Sequence, residues 1–262
     1  MRHFVLGYIV LLVAIPFSAL LFFAFKDGLG AFWERITTPV ALSAVWLTLW
    51  TGLLVGALNA VFGTATAWVL VRYPFPGKSL LSAAVDLPLA IPTLVAGVML
   101  SILYGPTSLV GEKLGLWGFE VVFAKPGIVL ALLLVTVPFV VRAVEPVLNE
   151  LDPAEEEAAI VLGAGPWRTF RTVHFPAILP AAVSGSLRSF GRAMGEFGSI
   201  VVVAGNIPEE TLTAPVYIFG EIESGIPEGA AAVGALLLLI ALALHGSARF
   251  LENATGARHA QT

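Results

Sequence analysis

Arg188, Arg192 and Glu196 recur at intervals of four residues within a largely apolar stretch, and Arg142 sits within another. That spacing puts the first three on one face of a helix. A charge at the centre of a bilayer costs at least ~2.5 kcal/mol on insertion scales, so such groups face protein or a watery path. Two chemistries fit. Arginine forks suit tetrahedral oxyanions, whose oxygens accept paired hydrogen bonds, so Arg142, Arg188 and Arg192 would line a low-affinity cationic stretch of a pathway. The plainer reading is an Arg192–Glu196 ion pair that braces a bundle, with Arg142 and Arg188 snorkelling to the inner interface. Asp86, near the start of a third stretch, reads as an interface or capping carboxylate. His174 reads as a surface histidine beside Phe175 and Pro176.

Other chemistries find no purchase. No His/Asp/Glu cluster has metal-ligand spacing, and no Ser/His/Asp set is placed for nucleophilic catalysis. Gly77-Lys78-Ser79 resembles the end of a P-loop, but that motif needs a glycine five residues before Gly77, where Arg72 stands. The chain is therefore expected to bind no cofactor or metal and to be no enzyme. Asn253-Ala254-Thr255 fits a glycosylation sequon, discounted because it falls on the cytoplasmic side of the topology below.

The elements that position these residues are set by composition. Of 262 residues, 58% are hydrophobic and 12% charged, with a mean hydropathy of +0.91. A soluble domain carries about 25% charged residues, so this is the composition of a polytopic membrane protein. A net charge of −4 gives no reason to expect nucleic acid as a partner. Without cysteine there is no disulfide framework or thiolate metal site. Phe4 to Phe25 is one uncharged apolar run, about 33 Å as a helix and enough to cross a ~30 Å hydrocarbon core. It is longer than a signal-peptide core and lacks a clear cleavage site, so it is read as a retained helix. Further spans fall near Ala41–Val71, Leu80–Tyr104, Pro126–Leu148, Ala177–Ala204 and Gly229–Leu251, giving six in an all-α fold. Pro88, Pro92, Pro138, Pro146, Gly185 and Gly191 interrupt them, as where broken helices line a cavity.

Charge sets the direction. With the amino terminus in the cytoplasm, the inner ends hold Arg2, Arg72, Lys78, Arg168, Arg171, Arg249 and Arg258, against Lys26, Arg35, Lys113 and Lys125 outside. The loop from Asn206 to Glu228 carries Glu209, Glu210, Glu221, Glu223 and Glu228 and no Lys or Arg, as suits an outer loop.

The polar segment from about 149 to 176 then faces the cytoplasm. Asp152 caps a helix, Pro153 fits its first turn, and Glu155, Glu156 and Glu157 complement its positive end. Gly163-Ala164-Gly165-Pro166 ends or bends it, and a second short segment runs from Trp167 to His174. Ala158, Ala159 and Ile160 offer a small apolar surface. The segment either docks on a partner or rests on lipid headgroups through Arg168 and Arg171.

Glu157-Ala158-Ala159, three residues, Gly163, nine residues and Val173-His174-Phe175-Pro176 resemble the EAA loop of ABC importer permeases, with Val173 and Phe175 as conservative departures. The likeness covers nearly the whole chain. Arg72 to Ser79, Val85 to Pro92 with Gly97, Pro138 to Arg142, Glu145 to Leu148, Gly195-Glu196-Phe197-Gly198 and Ala204 to Pro208 are similar to sulfate/thiosulfate permeases. Molybdate permeases share fewer of these elements. The resemblance implies one MetI-like, type I importer permease domain over 1–262 in a bacterial or archaeal inner membrane. It also implies a second permease (paralogue or copy), a soluble oxyanion-binding protein outside, and a cytoplasmic ATPase dimer holding ATP and Mg. Glu157, Ala158, Ala159, Gly163, Trp167 and Pro176 would couple to those ATPases. Sulfate or thiosulfate is the implied cargo, with molybdate or tungstate as the alternative.

Overall fold

The computed structural model describes the backbone of residues 2–259 and side chains from 4 to 244. The side chains of Arg2, Arg249 and Arg258 and the Asn253–Thr255 triplet lie outside the described residues. Among the described residues every regular element is helical.

Helices α1 (Arg2–Ile9) and α2 (Ile15–Phe25), joined by a π-helical turn, make one rod that buries none of its most apolar window within this chain. Helix α3 (Gly28–Ile36) buries Phe32 and Ile36 and leaves Leu29 and Trp33 exposed. Thr38 caps α4 (Pro39–Arg72) by accepting from the Ala41 N–H at 3.3 Å. Helices α5 (Lys78–Ala90) and α6 (Thr93–Tyr104) meet at an angle of 114°. The single span expected over Leu80–Tyr104 is thus a broken one, because Pro92 holds Ile91 extended. After α7 (Leu109–Leu116), α8 (Lys125–Glu150) runs unbroken through Pro138 and Pro146. The expected interruptions there do not occur, since neighbouring helices hold a membrane helix together around proline.

Helix α9 (Pro153–Val161) follows, then one turn, α10 (Pro166–Thr169), a π-helical stretch Phe170–His174, and α11 (Phe175–Met194). The span expected over Ala177–Ala204 stops at Met194 and resumes as α12 (Gly198–Val203). Helices α13 (Ala214–Glu223) and α14 (Pro227–His259) complete the chain. By length and composition, Phe4–Phe25, Pro39–Arg72, Lys125–Glu150 and Pro227–Leu244 can cross a membrane, and α5 with α6 forms a fifth span if the bent pair counts as one. Helix α11 is long enough, at 20 residues or about 30 Å, but is too polar to count with them, so the described helices supply four spans, or five with the bent pair, of the six expected.

Helices α4, α8 and α11 pack mutually and form the centre. Val140, Val141 and Val144 of α8 interlock with Ala67 and Leu70 of α4 and Ile178 of α11. The approach is close enough to need glycine: a Cβ on Gly185 would sit 2.9 Å from the Val140 Cα and 3.0 Å from the Phe139 carbonyl oxygen. Asn59, 1% exposed, sits where the three helices meet. Its amide donates to Thr136 Oγ1 at 2.8 Å and to Ser189 Oγ at 2.9 Å, so a buried polar group is satisfied from both neighbours.

Candidate functional site

The loop between α8 and α11 is built by local signals. Asp152 Oδ1 accepts the Ala154 N–H at 2.9 Å, and Pro153, Glu155 and Glu156 occupy the first turn of α9. The helix ends because Gly163 adopts φ +83. The Gly163 N–H then reaches the Ile160 carbonyl at 2.9 Å and the Ala164 N–H the Ala159 carbonyl at 3.0 Å, closing a Schellman cap. Among the described residues, none beyond its two chain neighbours has an atom within 4 Å of where a Gly163 Cβ would stand, so the need for glycine here is conformational.

The segment from Trp167 to His174 differs from its expectation. It is no separate helix but the helical lead-in to α11, continuous through Pro176 in the first turn. Trp167 stacks on Phe170 with centroids 5.6 Å apart and is 73% exposed. With Ile160, Val161 (86% exposed) and Leu162 it forms an apolar shelf on an otherwise polar loop. Glu157 and Ala158 are exposed beside it, and Ala159 is half-buried.

His174 is not a surface residue: it is 4% exposed. Its ring meets the edge of Trp68 with centroids 5.0 Å apart, and Arg72 Nη2 approaches its Nδ1 at 3.0 Å. Burial, reinforced by the Arg72 charge and opposed by Glu156 and Glu155, holds its pKa below the ordinary 6.5. Arg72 Nη1 also donates to Glu156 Oε2 at 2.8 Å. These residues are distant in sequence, and no local pattern joins them.

The intramembrane charges separate into two contacts. Arg142 donates from Nε and Nη2 to the two oxygens of Asp86 at 2.8 and 2.6 Å, from Nη2 to the Ser82 carbonyl at 2.9 Å, and from Nη1 to Glu145. It pins α5 to α8 and does not snorkel, and Asp86 is an ion-pair partner rather than a cap. Arg192 Nη1 pairs with Glu196 Oε2 at 2.7 Å. Glu196, 1% exposed, also accepts the N–H and hydroxyl of Ser199 at 2.9 Å each, capping the first turn of α12 across the break. Arg188 lies on the exposed side of α11. Among the described residues no cluster of His, Asp and Glu is placed to hold a metal ion.

A helical bundle with several helices long and apolar enough to cross a membrane, and one capped loop that raises apolar side chains, fits a multi-pass membrane subunit. The chain belongs to the family of binding-protein-dependent transport system inner membrane components, which matches residues 52–256. It is 44% identical over 248 residues to a probable sulfate transport system permease protein cysT of Chlorokybus atmophyticus, covering 95% of this chain and 87% of the relative. It is 43% identical over 237 residues to the sulfate transport system permease protein CysT of Synechocystis, covering 90% and 83%. A chain of a bacterial alginate ABC transporter, solved with an alginate-bound periplasmic protein, superposes with TM-score 0.75 at 18% identity over 97% of this chain and 93% of that one. A chain of an amino acid ABC transporter superposes with TM-score 0.56 at 20% identity, covering 83% and 94%. At those identities the likeness is one of fold, the MetI-like importer-permease fold expected above.

Proposed function

We propose that this chain is the permease subunit of an ATP-driven importer of sulfate, providing part of the translocation path. The observation that carries the reading is the apolar shelf of Ile160, Val161, Leu162 and Trp167 on a loop that keeps the EAA spacing. Apolar groups raised on a polar, water-facing loop are an interaction site. The cargo rests on the names of the relatives, which favour sulfate over molybdate or tungstate. In this reading the loop faces the cytoplasm, the amino terminus is cytoplasmic, and a dimer of ATPases supplies ATP and Mg²⁺ chemistry. A second permease, a paralogue as the sulfate likeness implies, completes the cavity, and a binding protein delivers the anion outside. ATPase closure moves the loop, the cavity opens outward to receive the anion, and hydrolysis returns it inward.

Glu157, Ala158, Ala159, Gly163 and Trp167 act as the ATPase contact, and Pro176 seats the loop on α11. Arg188 and Arg192 are the cationic groups best placed for the anion path. Arg142, held by Asp86 and Glu145, braces the bundle, and Glu196 holds the break between α11 and α12.

Co-purification from mild detergent tests the assembly: an ATPase and a second related permease are expected, and no ATPase beside a control importer that keeps its own sinks the reading. Gly163→Val tests the coupling. A β-branched residue at φ +83 costs roughly 1–2 kcal/mol and re-aims the loop. Glu157→Ala or Gly163→Val is expected to leave membrane insertion intact and to separate ATP hydrolysis from sulfate uptake. Normal coupled uptake in both would overturn the assignment.

A further inference from the structure

The guanidinium of Arg72 reaches two residues that lie 84 and 102 positions further along the chain. Arg72 is the last of the 34 residues of α4. One nitrogen reaches Glu156 on α9 at 2.8 Å, and the other reaches Nδ1 of His174 at the entry to α11 at 3.0 Å. Its carbon lies 5.3 Å over the Trp68 ring, whose edge contacts both His174 and Phe170. The planar fork is therefore fixed from below and on both prongs, an arrangement lysine cannot reproduce.

Glu156 is the neighbour of Glu157. Helix α9 otherwise packs mainly on the short segment from 166 to 174. Helix α4, at the other end of the contact, packs along both α8 and α11 and carries Asn59 at their junction. From α9, the covalent chain leads to α8 on one side and through α10 to α11 on the other. Neither route reaches α4.

We infer that Arg72, with Glu156 and His174, is the mechanical tie that carries motion of the coupling loop into α4. Arg72 is a positioning residue: it touches neither the anion nor ATP. The tie makes α4 follow α9 as one body with the start of α11, so that all three central helices move when the loop is pushed. Without it, α9 shifts against the bundle and part of each ATPase stroke is lost. The Nδ1 of His174, 3.0 Å from Arg72, accepts from it in the tautomer that leaves that nitrogen without a proton, and burial and the Arg72 charge, which lower the ring's pKa, favour the neutral ring. This inference rests on the reading of the loop as the ATPase contact.

The test uses the assembled complex, with its ATPase, second permease and binding protein, in proteoliposomes. The readout is radiolabelled sulfate imported per ATP hydrolysed. Arg72→Glu and Glu156→Arg are each expected to lower that ratio about tenfold, the scale of coupling between contacting charges. The ATPase should still co-purify with both. The double exchange, Arg72→Glu with Glu156→Arg, restores the opposite charges but not the contacts with His174 and Trp68, and should recover part of the ratio. Glu156→Gln, which removes charge without reversing it, should show a smaller loss at normal yield. Single variants with an unchanged ratio, or a double variant no better than the singles, would overturn the tie. A wild-type chain that brings down no ATPase overturns the importer reading itself, and the tie's role with it.

Discussion

Arg142 and Asp86 are 56 positions apart, and Arg72 and Glu156 are 84 apart. Each residue type was visible in the sequence, but the pairing was not, because an ion pair between helices depends on their rotation and register. Arg192 and Glu196 differ: four-residue spacing on one helix already places them together, and they meet at 2.7 Å. The spacing gave no sign that the second carboxylate oxygen caps α12. Glu196→Ala removes both roles and leaves the Ser199 N–H without its acceptor. It is expected to destabilise the complex by about 1–3 kcal/mol, and Glu196→Gln by less, since its amide oxygen can still accept. Thermal unfolding in detergent measures this, and equal losses would mean that the cap contributes nothing. His174 gives a prediction with a sign. Its pKa is lowered in the folded chain, so the unfolded chain binds the proton first as pH falls below 6.5. Stability contributed at this site is full above that value and declines as pH drops through the interval down to the lowered pKa. Arg72, Glu156 and Glu155 are the charged groups around it. The melting temperature of the complex should therefore fall on mild acidification, and His174→Gln should flatten that part of the profile.

The elements were legible wherever a local signal fixes them. Asp152, Thr38 and Ser108 all cap the helices that follow them, and Gly163 ends one with the backbone conformation that favours glycine. Breaks were harder to place. Pro92 bends a span and Pro138 does not, although both are prolines in apolar runs. The difference is tertiary: the Pro138 region is clamped between α4 and α11, whereas the start of α6 leaves that triad to pack on α12. Gly185 is likewise no interruption but the point where α11 rides on the backbone of α8. A leucine there has nowhere to go, because it meets the Val140 and Phe139 main chain and the Cβ of Ala143, none of which can swing aside. Gly185→Leu should force the helices apart and cost about 1–3 kcal/mol or more, read as a lower melting temperature and reduced yield. A Cβ on Gly191 of the same helix meets nothing within 4 Å, so Gly191→Leu is the control. Equal behaviour of the two would show that the crossing is looser than its geometry.

At the scale of the whole molecule, membrane character and the projecting loop followed from composition and pattern, whereas direction rested on a modest excess of arginine and lysine. That excess loses part of its support in the structure, because Arg72 is engaged with Glu156 and is not free to meet headgroups. The acidic loop expected outside carries the same sense, with Glu209, Glu210 and Glu223 exposed. The chain has no cysteine, so orientation can be read from single introduced thiols without background. Val161→Cys lies on the apolar shelf, and Ser224→Cys follows α13 on the opposite side of the predicted topology. Both positions are exposed, so accessibility will report sidedness rather than burial. A membrane-impermeant maleimide should label the thiol at 224 in right-side-out vesicles and the thiol at 161 only in inside-out vesicles. Added ATPase should protect the thiol at 161 and not the one at 224. Labelling at 161 from outside would invert the topology, and with it the place of the coupling loop. Correct sidedness without protection would leave the topology standing and remove the shelf as the docking surface.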